Sequence, residues 1–400
     1  MPGPSRCRPI VVLSTLAVAV LLGLTGSAAG QSAAPGCVPV AAWVAPDGTK
    51  RLQGEDVLAA AAKRAVVLLG ETHDSAEHHR WQLHTIAALR QLRPDLVLGF
   101  ETFPRRVQPA LDRWVAGELS EAEFLAQSDW RNVWRLDPQL YMPLFHFARM
   151  HRIPMIALNV EPSLTREISQ QGLDAIPPER REGIGRPAAP LEAYVDWLFP
   201  IYIEHADPGG RAAKHERNDP HFRRFVESQQ TWDRAMAEAL AAAAKRPGAP
   251  LVVGLMGSRH IVHGHGVPHQ LKDLGATDLT TLLPWDPSAD CKDLVAGYAD
   301  AVFGLAARAV APERRARLGV SIEQTAGGVR IRQVEKGSVA EASGVREGDI
   351  VVEIAGRRAK ESGDVVGAVQ RQAPGTWLPL KVRRGPDIVE LVAKFPPPPE

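Results

Sequence analysis

Ala65-Val66-Val67-Leu68-Leu69-Gly70-Glu71-Thr72-His73-Asp74-Ser75 is the stretch on which the fold turns. An unbroken apolar run with no polar alternation describes a strand buried on both faces, as in a parallel sheet covered by helices. Gly70 and the polar cluster after it end the run. Asp74 and Glu77 have capping-box spacing, which predicts a helix from there to about Leu92. The same unit recurs along the chain. Leu96–Phe100, Pro154–Leu158 and Leu251–Met256 read as three more buried strands, with an extra one around Leu279–Leu283. Between them the period is helical. Pro138 to His151 carries Leu140, Leu144, Phe145 and Ala148 on one side. Phe222, Phe225, Gln229, Trp232, Met236 and Leu240 predict a helix from about Pro220 to Lys245, ended by Pro247-Gly248. Strands alternating with helices predict an α/β fold, a mainly parallel sheet flanked by helices.

Chemistry collects where these strands end. Glu71 and His73 follow the first strand, Glu101 and Arg105-Arg106 the second, and Ser258-Arg259-His260 the fourth. Open α/β sheets place ligands at the carboxyl ends of their strands. Glu71, His73, Glu101 and His260 are therefore expected to converge. In a catalytic reading Glu71 or Glu101 activates water, while His73 and His260 bind a divalent metal or shuttle protons. The bland reading makes each of them a cap or an ion-pair partner. Four such groups just beyond buried strands favour the site, since buried carboxylates are costly unless paired or ligating. His78 and His79 lie on the first turns of the next helix, with one of them expected to face the site. His263, His265 and His269 flank a glycine-rich turn and suggest metal or cofactor contact, although their spacing matches no closed zinc pattern. Trp81, Trp130, Trp134, Trp197 and Trp232 read as core or pocket wall.

The first thirty residues have a different texture. Arg6 and Arg8 precede an apolar run from Ile10 to Leu24 and then small residues through Gly30, the layout of a cleaved secretory signal. The run is short of the ~20 residues that a bilayer span needs. Residues 1–30 are therefore expected to be a leader, and the mature chain to reside in the periplasm or cell envelope. Cys37 and Cys291 survive cleavage. They are expected either to pair in an oxidising compartment or, since Ala34-Pro35-Gly36-Cys37 loosely resembles a lipobox, to leave Cys37 lipidated. A formal net charge of +1 gives no reason to expect a nucleic-acid partner.

Residues 37–290 are expected to form the α/β domain and 291–315 a linker, with a helix-like run from Lys292 to Val310. After it come short strands and tight glycine turns. Leu318-Gly319-Val320, Gly337-Ser338-Val339-Ala340 and Gly344-Val345-Arg346-Glu347-Gly348-Asp349-Ile350 carry a resemblance to the PDZ domain over 316–395, in its bacterial form. The resemblance implies a small β-rich PDZ domain. It also implies that Leu318, Gly319 and Val320 lie where a peptide carboxylate is held and that the peptide adds beside the sheet edge. No Ser-His-Asp set and no Gly-x-Ser-x-Gly motif accompanies it.

Leu69-Gly70-Glu71-Thr72-His73-Asp74, Gly99-Phe100-Glu101, Trp232-Asp233-Arg234-Ala235-Met236-Ala237 and Gly264-His265-Gly266-Val267-Pro268-His269-Gln270-Leu271 carry a second resemblance. The segment from about Val66 to Leu283 resembles the ChaN-like haem-binding uptake branch of the Tiki superfamily. That resemblance implies a pocket lined by Glu71, His73, Glu101 and His260, with haem or another iron-bearing ligand as cofactor and a homodimer enclosing it. Haem needs an axial donor and cationic partners for its propionates. His78, His79, His263, His265, Tyr141, Tyr194 and Tyr202 are the candidate donors, and Arg105 and Arg106 the candidate cations. No Cys-x-x-Cys-His occurs, which excludes covalent c-type attachment. The superfamily also holds metalloproteases, so a metal-dependent hydrolase using His73 and His260 is the alternative. An envelope scaffold built around PDZ binding is the third reading.

Overall fold

A computed structural model describes residues 37–206, 216–307 and 316–397. The expected leader and the end of the expected linker lie outside these residues. The chain divides into two compact units, Met1–Arg308 and Ala309–Glu400. Among the described residues no helix is long and apolar enough to cross a membrane.

The first unit holds one eight-stranded sheet. Its strands are β1 (Trp43–Val44), β2 (Arg51–Leu52), β3 (Val66–Glu71), β4 (Leu96–Pro104), β5 (Met155–Asn159), β6 (Leu251–Gly257), β7 (Leu279–Trp285) and β8 (Ala301–Gly304). They lie in the order β2-β1-β8-β7-β3-β6-β4-β5. The run from β8 to β5 is parallel; β1 pairs antiparallel with β8 and β2. Successive side chains of a strand face opposite sides, and both sides are apolar here. Val67 and Leu69 enter one core with Trp81, Ile86 and Leu89 of the Ala76–Leu92 helix. Val66 and Leu68 enter the other, with Met236, Ala237 and Leu240 of the Pro220–Ala244 helix. This is the mainly parallel, helix-flanked sheet that the apolar runs predict.

Two expectations change. The Ala76–Leu92 helix is capped by Ser75, whose side chain accepts the His78 N–H, rather than by Asp74. The helix-like run from Lys292 is a 3-10 turn, Cys291–Asp293, followed by β8. Gly297 sits at φ +84°, a left-handed conformation that interrupts a helix. The Asp300 carboxylate then accepts from the Thr281 N–H at 2.7 Å and delivers the chain to the sheet. The first unit therefore extends beyond residue 290. Cys37 and Cys291 are joined by a disulfide, with Cα atoms 5.7 Å apart, so this sulfur is not free for acylation.

The second unit is an antiparallel sheet of β9 (Val320–Thr325), β10 (Gly328–Val334), β11 (Ile350–Ile354), β13 (Trp377–Arg384) and β14 (Asp387–Lys394), with β12 (Arg357–Arg358) pairing β11. The order β14-β13-β11-β10-β9 leaves β9 at an edge. Its own core includes Leu318, Val329, Ile331, Val351, Val365 and Leu380. The Ser362–Gln370 helix is tied to β9 through Gln324, whose amide donates to the Lys360 carbonyl and accepts from the Ser362 N–H, both at 2.7 Å.

Candidate functional site

Strand order decides which residues meet. β6 lies between β3 and β4, with Glu71 opposite Gly257 and Phe100 opposite Leu255. The carboxyl ends of these three strands are thus side by side. Glu71 and Glu101 rise on either side of Gly257, and His260 follows in the 3-10 turn Ser258–His260. Gly257 is required by space: a Cβ there would come within 2.9 Å of the His73 ring.

The side chains form one continuous row. Tyr194 donates to Asp233 Oδ2 at 2.8 Å, and His260 Nδ1 donates to Asp233 Oδ1 at 2.6 Å. His260 Nε2 stands 3.5 Å from Glu101 Oε1, and His73 Nε2 stands 3.9 Å from the same oxygen. His73 Nδ1 donates to Glu71 Oε1 at 2.8 Å, and the Tyr141 hydroxyl donates to that oxygen too. His79 Nε2 lies 3.4 Å from Glu71 Oε2. The other Glu101 oxygen accepts the Gly257 N–H at 2.6 Å. Glu71, Glu101 and Asp233 are buried, whereas the His73 side chain is 38% exposed and packs edge-on against Trp134. His73 is the member of the row that meets solvent.

Burial alone would neutralise these groups, but their mutual attraction prevails. Burial raises the Glu101 pKa; the charges of His260 and His73 and the Gly257 N–H outweigh it and hold the carboxyl below its ordinary value. Glu71 is held down in the same way by hydrogen bonds from His73 and His79. Burial lowers the His260 pKa, yet Glu101 and Asp233 push it up to about 10. His73 is raised, chiefly by Glu101, against its own burial. Near neutral pH Glu71 and Glu101 are therefore carboxylates, and His260 is held as an imidazolium.

A pH profile follows from these signs. His260, raised from an ordinary 6.5, stabilises the fold fully below 6.5 and loses that contribution as pH rises through about 10. Glu101, lowered from an ordinary 4.5, contributes above 4.5 and loses it as pH falls below. Urea midpoints of the first unit should be highest between about pH 4.5 and 6.5 and fall on both sides. The alkaline fall should flatten in His260→Asn. A flat profile above 6.5 in the parent chain would show that the imidazole is not held charged.

The structure thus brings together Glu71, His73, Glu101 and His260. It places the expected cofactor contacts differently. His78 is buried with both ring nitrogens engaged, accepting the Thr72 N–H at 2.8 Å and pairing with Asp286 at 2.9 Å. His79 is buried under Tyr141, ring centres 4.2 Å apart. Arg105 donates to the Glu182 and Ala235 carbonyls at 2.7 and 3.2 Å, and Arg106 pairs with Asp129 and Glu161. His78, Arg105 and Arg106 thus present no free donor or cation to a ligand, whereas His79 has no hydrogen-bond partner at either ring nitrogen among the described residues, is sealed from solvent, and faces Glu71 in the row. Tyr141 and Tyr194 are engaged by Glu71 and Asp233. As for metal at His73 and His260, both imidazoles face carboxylates as proton donors. Among the described residues no three His, Cys, Asp or Glu groups are placed to hold a metal ion.

His263 and His265 form a second, separate group. Their rings lie 5.4 Å apart on the half-exposed turn after His260. His265 packs on Tyr194 at 5.7 Å, and His263 meets the Tyr298 ring at 5.5 Å. Neither His265 ring nitrogen has a hydrogen-bond partner among the described residues, and Nδ1 is buried. Burial first, then the neighbouring His263, lowers the His265 pKa and keeps the ring neutral. Tyr194 connects this pair to the row through Asp233.

Asp233 is the functional side chain that residue-by-residue reading passes over. It is completely buried near one end of the row, between Tyr194 and His260. Its signal was an acid on the inward face of a helix otherwise lined by Phe222, Met236 and Leu240, where only a charged partner makes it tolerable.

In the second unit, Leu318 turns its side chain into the core. Its carbonyl accepts the Ala340 N–H at 2.8 Å, and the Gly319 carbonyl accepts the Glu335 N–H at 2.9 Å. In a planar trans peptide the C=O and the following N–H point opposite ways. The Gly319 and Val320 N–H groups therefore turn away from these partners, toward the open edge of β9.

Residues 57–271 match a family described as haem-binding uptake, Tiki superfamily, ChaN, and residues 316–394 match the PDZ domain. Comparison with curated proteins gives no match. Among solved structures, that of cofacial haem binding to ChaN of Campylobacter jejuni is similar with a TM-score of 0.51 at 20% identity, covering 65% of this chain and 95% of that one. The likeness shows the fold. Over the C-terminal region, the HtrA-type protease AlgW with a decapeptide is 24% identical, covering 21% of this chain and 30% of that one, with a TM-score of 0.20. The HtrA3 PDZ domain bound to a phage-derived ligand is 26% identical, covering 20% of this chain and 82% of that one, with a TM-score of 0.18.

Proposed function

The chain belongs to the ChaN family of haem-binding uptake proteins within the Tiki superfamily, and from that premise we propose that its first unit binds haem through the His263/His265 pair. The observation that carries the assignment is the His265 ring: half-exposed, packed on Tyr194, and with its buried Nδ1 lacking a hydrogen-bond partner among the described residues. Where a histidine is the axial donor, haem iron takes its neutral nitrogen lone pair. His73 and His260 turn their ring nitrogens to carboxylates, whereas Nδ1 of His265 has no partner among the described residues. Buried Tyr194 backs the His265 ring, and Tyr298 stands against the His263 ring. The bound iron is the cargo or cofactor. The protein's own contribution is to present the donor, keep it neutral and hold it in place through Tyr194 and the row behind it.

The PDZ unit, in this reading, receives a peptide carboxylate at the Gly319 and Val320 N–H groups, with the peptide laid along β9. The leader at residues 1–30 supports export to the periplasm or cell envelope, and the Cys37–Cys291 bond suits an oxidising compartment.

A haem titration of the purified mature protein tests the assignment. The expected result is a saturable Soret shift that His265→Ala weakens by about 10- to 100-fold, while His78→Ala leaves the spectrum of the complex unchanged. A shift that survives the combined His263→Ala and His265→Ala changes would move the donor elsewhere.

A second reading, hydrolysis at the row, rests on Glu101 Oε1. This atom is buried, has no hydrogen bond, and faces Nε2 of both His73 and His260. A divalent metal there requires His260 to release its proton first. Metal analysis of the same preparation separates the readings: stoichiometric zinc or manganese lost in Glu101→Ala, with no Soret shift, favours the hydrolase.

A further inference from the structure

The loop between β7 and β8, residues 286–299, is exposed along most of its length. Its ends are fixed: Asp286 pairs with His78 at 2.9 Å, and Asp300 is locked onto Thr280 and Thr281. Its middle has few anchors. Leu294 is buried, Tyr298 packs against Trp285, and Cys291 is bonded to Cys37. Cys37 is a firm post, because the chain after it runs against β8: the Ala41 N–H donates to the Gly304 carbonyl at 2.8 Å, and the Gly304 N–H donates to the Ala42 carbonyl at 3.0 Å.

This same loop holds the His263/His265 turn. The Tyr298 carbonyl accepts the His263 N–H at 2.9 Å, and the Tyr298 ring stands against the imidazole. His263 itself sits at φ +58°, a left-handed conformation that a non-glycine residue keeps only when its surroundings impose it. The imposing contact is Tyr298, and Tyr298 belongs to the segment that the disulfide closes.

We propose that the Cys37–Cys291 disulfide is a redox switch on the His263/His265 ligand site, closed when oxidised and loosened when reduced. This rests on the assignment of haem to that pair. A dithiol reductant of the exchange class attacks the bond, passes two electrons and two protons to give two cysteine thiols, and leaves as its own disulfide. The loop then retains Leu294, the partly buried Ala289, Tyr298 and Ala299, and its hydrogen bonds, few buried contacts for a segment this exposed. His263 relaxes from its imposed conformation, and the imidazole pair loses its spacing. The sheet is untouched, since β8 is anchored independently through Asp300.

The test uses the full mature chain in three forms: oxidised, reduced by a dithiol with thiols counted, and Cys37→Ser/Cys291→Ser without reductant. The last removes any effect of reductant on haem iron. Amide exchange is followed over 261–266 and 291–299, and haem affinity by Soret titration. Reduction and the double substitution should each accelerate exchange in both segments, leave β3, β4 and β6 protected, and raise the haem Kd about tenfold, the low end of what lost outer support costs a metal site. Unchanged exchange at 261–266 after complete reduction overturns the switch, whatever the haem result. If the oxidised chain binds no haem, the ligand assignment fails, and exchange alone still decides the coupling.

Discussion

Glu101→Ala is expected to destabilise the first unit by about 3–5 kcal/mol, the cost of breaking a buried ion pair from one side. The carboxylate is almost wholly inaccessible and faces two imidazoles raised toward their charged forms. Its removal leaves their Nε2 atoms without a counter-charge, orphans the Gly257 N–H and opens a cavity between β4 and β6. Glu101→Gln keeps an acceptor for Gly257 and should lose less. Amide exchange in β3, β4 and β6 against urea reads the effect without mixing in the second unit. Adding His260→Ala to Glu101→Ala should cost less than the two changes summed, because the first has already removed the charge that the second discharges. A loss below about 1 kcal/mol for Glu101→Ala would place the row among weak, solvated pairs.

Gly319→Ala carries the second large effect. Gly319 lies at φ +78°, and a Cβ there would sit 2.3 Å from the Ser338 Cβ. Backbone strain and the clash act together, for about 2–4 kcal/mol lost from the second unit. The two N–H groups aimed past β9 shift with it. Peptide binding, measured by fluorescence anisotropy with a C-terminally free peptide library, should vanish, while haem binding by the first unit persists. An alanine chain that keeps both its exchange protection over 318–351 and its peptide affinity would remove the carboxylate loop from consideration.

Much of this architecture was written in local pattern. Strands β3, β4, β5, β6 and β7 announced themselves because each is buried on both faces, which demands an unbroken apolar run. The Pro220–Ala244 helix did so by its three- and four-residue steps. The strand ends pointed to Glu71, His73, Glu101 and His260 for the same reason: polar groups directly after buried strands have one place to go. What local pattern does not carry is pairing across the chain. Nothing in Leu251–Gly257 says that it separates β3 from β4, yet that insertion brings the two glutamates to either side of Gly257. Strands of two to four residues, such as β1, β2 and β8, are too short for a period to register. Of His78 and His79, one faces the site as expected, and local pattern does not say which: His79 stands beside Glu71, while His78 is pinned by Thr72 and Asp286. Arg105 reads as a surface cation until Glu182 and Ala235 are seen to supply its acceptors.

The interleaved strand order also has a consequence for how the protein is made. β3 and β4 emerge early in synthesis, but the strand that joins them lies more than a hundred and forty residues downstream of β4. Until β6 arrives, both present open hydrogen-bonding edges, the feature that invites pairing with other chains. The non-local closure makes assembly slow relative to a fold built from neighbours. Any C-terminal truncation before Leu251 removes β6, β7 and β8 together, leaving β3 with no partner strand and only the pairs β1-β2 and β4-β5. The sheet of the first unit can close only after β8, Ala301–Gly304, has been made.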